Sequence, residues 1–311
     1  MSGPAVVALG GGHGLAASLS ALKLVSDDIT AVVTVADNGG SSGRLRDEFD
    51  VLPPGDLRMA LSALCEESEW GHIWRDVLQH RFPGAGEVGG HALGNLLIVA
   101  LWDLHPDPVA GLDLVARLLN ARGRVLPMAA VPLEIEADVV GLDPTDPEAL
   151  TTVRGQVAVA TAHGRVRSIT LDPADPPAPA ATVGAVERAD WVVLGPGSWF
   201  TSVMPHLLVP DLRAALHHTP ARRLLTLNVV AAGETAGFSA AEQIETMADH
   251  APRLRLDVVL ADPGAVDDEG ALRSAAARLG AEVVVAPVAK RDRPDQHDSL
   301  RLAAAYRDIL T

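Results

Sequence analysis

Several short stretches of the chain hold residue types suited to binding phosphate and sugar. Gly10-Gly11-Gly12-His13-Gly14-Leu15 joins an apolar run to a helical pattern. Glycines there let the backbone turn tightly and let a phosphate reach the N–H groups of a helix start. The spacing is not a full dinucleotide fingerprint, because position 15 is Leu, and the Lys-Ser/Thr of a P-loop is missing. Asp37-Asn38-Gly39-Gly40-Ser41-Ser42-Gly43-Arg44-Leu45-Arg46 follows a second apolar run. Gly39, Gly40 and Gly43 permit a nest of N–H groups, Ser41 and Ser42 add hydroxyls, and Arg44 and Arg46 can pair with phosphate. Asp37 suits a ribose hydroxyl or a metal.

Four further stretches fit the same chemistry. In Leu52-Pro53-Pro54-Gly55-Asp56-Leu57-Arg58, Asp56 can cap a helix and Arg58 can face the cleft one turn on. In Gly89-Gly90-His91-Ala92-Leu93-Gly94-Asn95, His91 can act as an acid/base or phosphate donor. Gly94 there allows close approach, and Asn95 can read a base or ribose edge. Leu194-Gly195-Pro196-Gly197-Ser198-Trp199-Phe200-Thr201-Ser202 repeats the strand–glycine–helix logic, with Trp199 or Phe200 available to stack on a base. Thr226-Leu227-Asn228 ends another strand and puts Asn228 on the ligand side. Each stretch also has a plainer reading: a tight turn, a solvated polar loop, a helix cap or core packing.

Other chemistries find little support. No His/Cys spacing matches a zinc site, and there is no H-E-x-x-H helix or G-x-S-x-G elbow. Cys65 is the only cysteine and reads as a small apolar residue on a helix rather than a catalytic thiol. His217-His218 reads as a solvated helix face. No residue is assigned a catalytic role.

The elements that must position these residues alternate. Strands are expected over 5–9, 29–35, 191–194, 224–229, 258–260 and 283–285. Helices are expected over 14–25, 56–67, 70–82, 91–104, 109–121, 203–216, 240–250, 269–279 and 298–309. Short strands over 132–140 and 152–171, then a proline-rich stretch over 172–181, form a β-rich insertion. The expected fold is α/β: a Rossmann-like, doubly wound, mainly parallel sheet with helices on both faces and a small inserted antiparallel β lobe. Residues 1–121 and 182–311 supply the two halves of the nucleotide-binding domain, and 122–181 the lobe.

Composition narrows the partners. The 311 residues hold 40 Asp+Glu against 25 Lys+Arg, a net charge of -15. A chain this acidic repels nucleic acid and anionic membrane, while local arginines and backbone amides still bind one small anion. A lone cysteine, no signal peptide and no long apolar stretch give the expectation of a cytoplasmic protein without membrane insertion. A homodimer is the default oligomer.

Taken in order, GGGHGL, VTVADNGGSSGRLRDEF, LPPGDLR, GHALGNLL, NARGRVLP, VLGPGSWFTSV and LLVPDLR resemble the YvcK/CofD family over residues 10 to 213. The last hundred residues match weakly, around Gly233-Glu234-Thr235. One branch of that family is the 2-phospho-lactate transferase, which moves a phospholactyl group from a guanylyl-activated donor to a deazaflavin with magnesium. The other, the gluconeogenesis factor branch, binds nucleotide sugars and is tied to cell shape and wall synthesis during gluconeogenic growth. GGSSGRLR and LPPGDLR resemble the second branch more closely. The resemblance implies a UDP-sugar or other nucleotide as ligand and a wall-synthesis protein as partner. Where the family commonly has GGTGL this chain has His13, and where it commonly has Ala-Asp-Asp this chain has Asn38 after Asp37. Asn is a poorer ligand for a hard cation, so the departure weakens a two-carboxylate magnesium site. Magnesium, held by Asp37, is expected only for a transferase. The readings are a nucleotide-sugar-binding regulatory factor, then a transferase, then an NAD-dependent oxidoreductase.

Overall fold

The computed structural model describes residues 3–311. β1 (Val6–Gly10) is buried at every position, as the central strand of a sheet covered on both faces must be. α1 (Gly12–Leu22) follows after one residue, and β2 (Ile29–Val33) lies parallel to β1 with Val6 opposite Ile29. α2 (Gly40–Phe49), α3 (Pro54–Leu64), α4 (Glu69–Gln79), α5 (Leu93–Leu104) and α6 (Pro108–Leu118) come next. They lead to β3 (Arg124–Pro127), which pairs parallel with β2. Residues 122–127, expected in the inserted lobe, therefore supply an edge strand of the main sheet. The lobe itself is β4 (Glu134–Val140), β5 (Thr151–Arg154), α7 (Gln156–Ala160) and β6 (Arg165–Asp172), with antiparallel order β5-β4-β6. Strict alternation along β4 turns Ile135, Ala137 and Val139 into its core.

α8 (Ala180–Arg188) brings the chain back to β7 (Trp191–Leu194), which pairs with the other edge of β1. A π-helical turn, Trp199–Val203, and a 3-10 turn, Met204–Leu207, precede α9 (Pro210–His218). One helix was expected over 203–216. Pro205 and Pro210 lack the amide donors that a continuous helix needs, so the segment divides. β8 (Arg222–Thr226), α10 (Ala240–His250), β9 (Val258–Ala261), α11 (Glu269–Arg278), β10 (Glu282–Val285) and α12 (Ser299–Leu310) complete the chain. No helix among the described residues is long and apolar enough to cross a membrane.

The seven-stranded parallel sheet has the order β10-β9-β8-β7-β1-β2-β3. The chain moves outward from β1 through β2 to β3, then returns to β7 and moves outward the other way. Right-handed crossovers in opposite directions place α1 and α9 on opposite faces. α1 packs on α3 and α12, α8 on α9, and α10 on α11. The α/β architecture expected from the sequence is thus present, with its topological switch between β1 and β7. Beyond the carboxyl ends of those two strands lies the crevice where open α/β sheets bind ligands.

The last helix is tied to this centre. The Tyr306 hydroxyl lies 2.9 Å from Ser18 Oγ on α1 and 3.1 Å from Thr226 Oγ1 on β8. All three are buried. Tyr306→Phe removes the shared partner of two buried hydroxyls and is expected to cost about 1–3 kcal/mol, read as a lower denaturation midpoint at unchanged slope.

Candidate functional site at the sheet's switch point

Two glycine turns meet at the switch. The first leaves β1 through Gly11, whose extended backbone caps α1, and Gly12 at φ +56°. The second leaves β7 through Gly195 (φ +69°) and Gly197 (φ +150°). Gly14 packs so tightly on Pro196 and Gly197 that no side chain fits between them. Asn228, just past β8, fixes the second turn from the far side. Its Oδ1 accepts the Gly197 N–H at 2.9 Å and its Nδ2 donates to the Gly197 carbonyl at 2.7 Å. The sequence suggested a ligand contact for Asn228; the structure shows it shaping the turn.

A cavity of about 500 Å³ opens beside these turns, with His13, Gly14, Gly197, Ser198 and Asn228 on its wall. Its far wall comes from later in the chain and includes Glu234, Lys290 and His297. Glu234 is 5% exposed. It accepts the Phe200 N–H at 2.6 Å and the Thr201 hydroxyl at 3.1 Å, which pins the π-helical turn. Burial pushes its carboxyl up to about 7, against these hydrogen bonds. Thr201 is committed to that contact. Phe200 is fully buried and Trp199 nearly so, so neither ring face is open for a base to stack on.

On the β2 side of the first turn stand two carboxylates. Asp37 Oδ1 accepts the Gly39 N–H at 2.9 Å. Asp56 lies in the first turn of α3 rather than at its cap, which is Pro53. A Cβ placed on Gly11 would touch Asp56 Oδ2 at 2.5 Å, and one on Gly55 would lie 3.0 Å from Asp37 Oδ2. The two acids therefore crowd one corner of the crevice. Desolvation, then the charge of Asp37, raises the Asp56 carboxyl to about 7, with the Gly12 amide and Arg58 opposing. The residues fit a divalent cation in part. Paired carboxylate oxygens are hard donors of the kind magnesium takes along with substrate phosphates. No group of three or more His, Cys, Asp or Glu side chains forms a metal cage among the described residues.

Other expected ligand residues are used in packing. Gly39 caps α2, and Gly40 starts it at φ +49°, so the expected nest is a helix start. Ser41, Ser42, Arg58, His91 and Asn95 are buried. Asn95 Oδ1 accepts from Arg58 Nε at 2.8 Å, and its Nδ2 donates to Ser41 Oγ at 3.0 Å. Arg58 also donates to Gln79, and Ser41 Oγ meets His91 Nδ1 at 3.0 Å. Ser42 Oγ accepts the Gly55 N–H at 2.7 Å. This network holds α2, α3 and α5 together behind the acids, so Asn95 is not free to read a ribose and Arg58 faces α5. Gly94 lets α5 approach Arg58 and Leu78 closely, and Leu15 belongs to the core. Arg44 donates to the Gly89 carbonyl at 2.8 Å and Arg46 to that of Leu133 at 2.7 Å. The Asn38 side chain accepts the Val157 N–H at 3.1 Å, tying the crevice to α7 of the lobe. Cys65 is buried, and desolvation raises its thiol to about 11, so it has no thiolate at neutral pH.

If Asn228 orders the second turn, Asn228→Ala leaves the Gly197 amide and carbonyl without their side-chain partners. Ligand affinity is expected to fall about tenfold to a hundredfold, with the far-ultraviolet spectrum unchanged. Calorimetric titration checks it, and wild-type affinity in the variant would remove Asn228 from this role.

The chain is similar to known proteins along nearly its whole length. A family model described as 2-phospho-L-lactate transferase CofD matches residues 6–300. A Mycobacterium tuberculosis protein, provisionally named gluconeogenesis factor, is 54% identical over 308 residues, covering 98% of this chain and 90% of its own. The gluconeogenesis factor of Bacillus subtilis is 34% identical over 267 residues, covering 86% of this chain and 81% of its own. The crystal structure of a UPF0052 family member from Bacillus halodurans superposes with a TM-score of 0.86 at 32% identity, covering 98% of this chain and 99% of that one. By sequence motif, family model and fold alike, the chain belongs to the CofD/YvcK family.

Proposed function

We propose that the protein binds a nucleotide sugar of the UDP type and acts as a regulatory factor without turnover. The observation that carries this reading is the pair of glycine turns meeting at the switch point beside a cavity of about 500 Å³. Backbone amides at Gly11–Gly14 and Gly195–Ser198 would receive the diphosphate, and the cavity the rest of the ligand. The relatives' gluconeogenesis-factor names support a role in gluconeogenic growth. In this reading the bound state is recognised by a wall-synthesis partner in the cytoplasm, where it influences cell shape.

One observation favours a second reading. The Asp37–Asp56 corner beside the first turn fits magnesium held jointly with a diphosphate, which is what a 2-phospho-lactate-type transferase needs. There the metal would neutralise phosphate charge while Asp37 and Asp56 hold it and the glycine turns orient the donor.

Titration calorimetry with UDP-N-acetylglucosamine, GDP and NAD, each with magnesium and with EDTA, separates the readings. The expected result is UDP-sugar binding that ignores EDTA, with the ligand recovered unchanged. GDP binding that vanishes with EDTA would replace the regulatory reading with the transferase. Binding of NAD alone would replace both.

A further inference from the structure

The walls of the cavity hold polar groups with no partner. His297 is 9% exposed, lines the cavity, and neither Nδ1 nor Nε2 has a hydrogen bond. Trp199 is 1% exposed, lines the same cavity, and its Nε1–H has no acceptor. A buried polar group left unpaired costs about 1–3 kcal/mol. Two such groups, in residues that line one cavity from positions almost a hundred residues apart, point to a ligand that completes them once the rings turn toward it.

The segment carrying His297 is built to hold it there. Asp262 Oδ2, at the end of β9, accepts the Val288 and Ala289 N–H groups at 2.8 Å each. The Asp298 N–H donates to the Val288 carbonyl at 2.8 Å, and Ala289 bridges His297 across the same hairpin. Asp298 then caps α12, which Tyr306 locks to α1 and β8. The Lys290 ammonium is occupied by Gln296 Oε1 at 3.0 Å. The imidazole is neutral at physiological pH, because desolvation takes it to about 4 against the opposing pull of Asp262 and of the Leu227 carbonyl, which lies near the ring but outside hydrogen-bond geometry. A neutral imidazole offers one donor and one acceptor, and the indole offers one donor. An anion would leave the imidazole's acceptor nitrogen unused. An uncharged group that both donates and accepts would use every atom.

Resting on the nucleotide-sugar reading, we infer that His297 and Trp199 form a specificity subsite for an uncharged, donor-and-acceptor part of the ligand, away from its diphosphate. Sugar hydroxyls with an amide, or the imide edge of a pyrimidine, share that chemistry.

His297→Phe tests it, since the ring volume stays and both nitrogens go. The expected result is a thermal midpoint equal to or above that of the wild type, with affinity for UDP-N-acetylglucosamine lowered about tenfold or more. Titration with UDP distinguishes the sources. A loss confined to the UDP-sugar assigns the subsite to the sugar, and an equal loss for UDP assigns it to the base. Unchanged affinity for both would overturn the inference while leaving the nucleotide-sugar reading intact. Independently, nitrogen-15 spectra of the histidine rings are recorded while wild-type protein is titrated with uridine and with N-acetylglucosamine. A shift of the His297 ring with either neutral probe supports the subsite even if no diphosphate ligand binds. No shift with either, and no UDP-ligand binding, overturns it.

Discussion

Affinity for UDP-N-acetylglucosamine without magnesium is expected to fall about tenfold between pH 6 and pH 8, the limit for one group that must carry a proton. The group is Asp56, whose carboxyl sits near 7 because it is desolvated and next to Asp37. Below that value Asp56 is neutral and the first glycine turn offers amides alone. Above it, a second negative charge stands beside the amides that would receive the diphosphate. A diphosphate diester keeps its charge across this range, so the slope reports the protein. Under the transferase reading magnesium reverses the sign: a cation shared by Asp37 and Asp56 would have to displace the proton, so metal-assisted affinity would rise with pH. Asp56→Asn should flatten either profile, leaving only what Glu234, also near 7, and the other titratable groups on the cavity wall contribute. A magnesium-free profile that is flat from pH 6 to pH 8 would remove Asp56 from the binding site.

The same residue carries a stability signature. The folded protein keeps a proton on Asp56 up to about 7, whereas the unfolded chain releases it near 3.8. Stability is therefore lost as pH rises between these values, because the unfolded state gives up the proton first. Asp56→Asn relieves this and should stabilise the protein at pH 8 by up to about 4 kcal/mol.

How much of this was legible in the sequence follows from how local each feature is. The Gly10–Gly14 run between a β-branched strand and an amphipathic helix marks its own turn, and the 195–198 run does the same. Two such turns in a β–α alternation give the crevice. β3 was not legible as part of the sheet, since four residues closing on Pro127 have the same pattern as a lobe strand and only pairing with β2 decides. Gly39 and Gly40 were read as a phosphate nest because glycine permits one, yet the serines after them are drawn into the network around Asn95. Glu234 reaches back to the amide of Phe200, and His297 comes to the cavity that Trp199 also lines only once β8 and α12 are in place. Their importance lies in burial and missing partners, which no spacing encodes.

Gly14→Ala is expected to be the most damaging single methyl in the crevice. Its Cβ would lie 2.5 Å from Gly197 Cα and closer still to the Pro196 carbonyl oxygen. Backbone occupies both positions, so no side chain can swing away, and the two turns must separate. Overpacking of this kind typically costs about 1–3 kcal/mol, and the displaced amides are those of the diphosphate cradle. Ligand affinity should drop below detection while the sheet still forms, because α1 remains anchored by Leu15, Leu19 and Leu22 in the core. Gly40→Ala separates crowding from backbone strain. Nothing lies within 4 Å of a Cβ at Gly40, but its φ is +49°. That substitution should cost about 1–2 kcal/mol from left-handed strain alone, with binding retained at saturating ligand. Denaturation midpoints and titrations of the two variants side by side make the test. If Gly14→Ala binds like the wild type, the contact between the turns does not form the cradle, and the ligand must enter the cavity from the His297 side without touching β1.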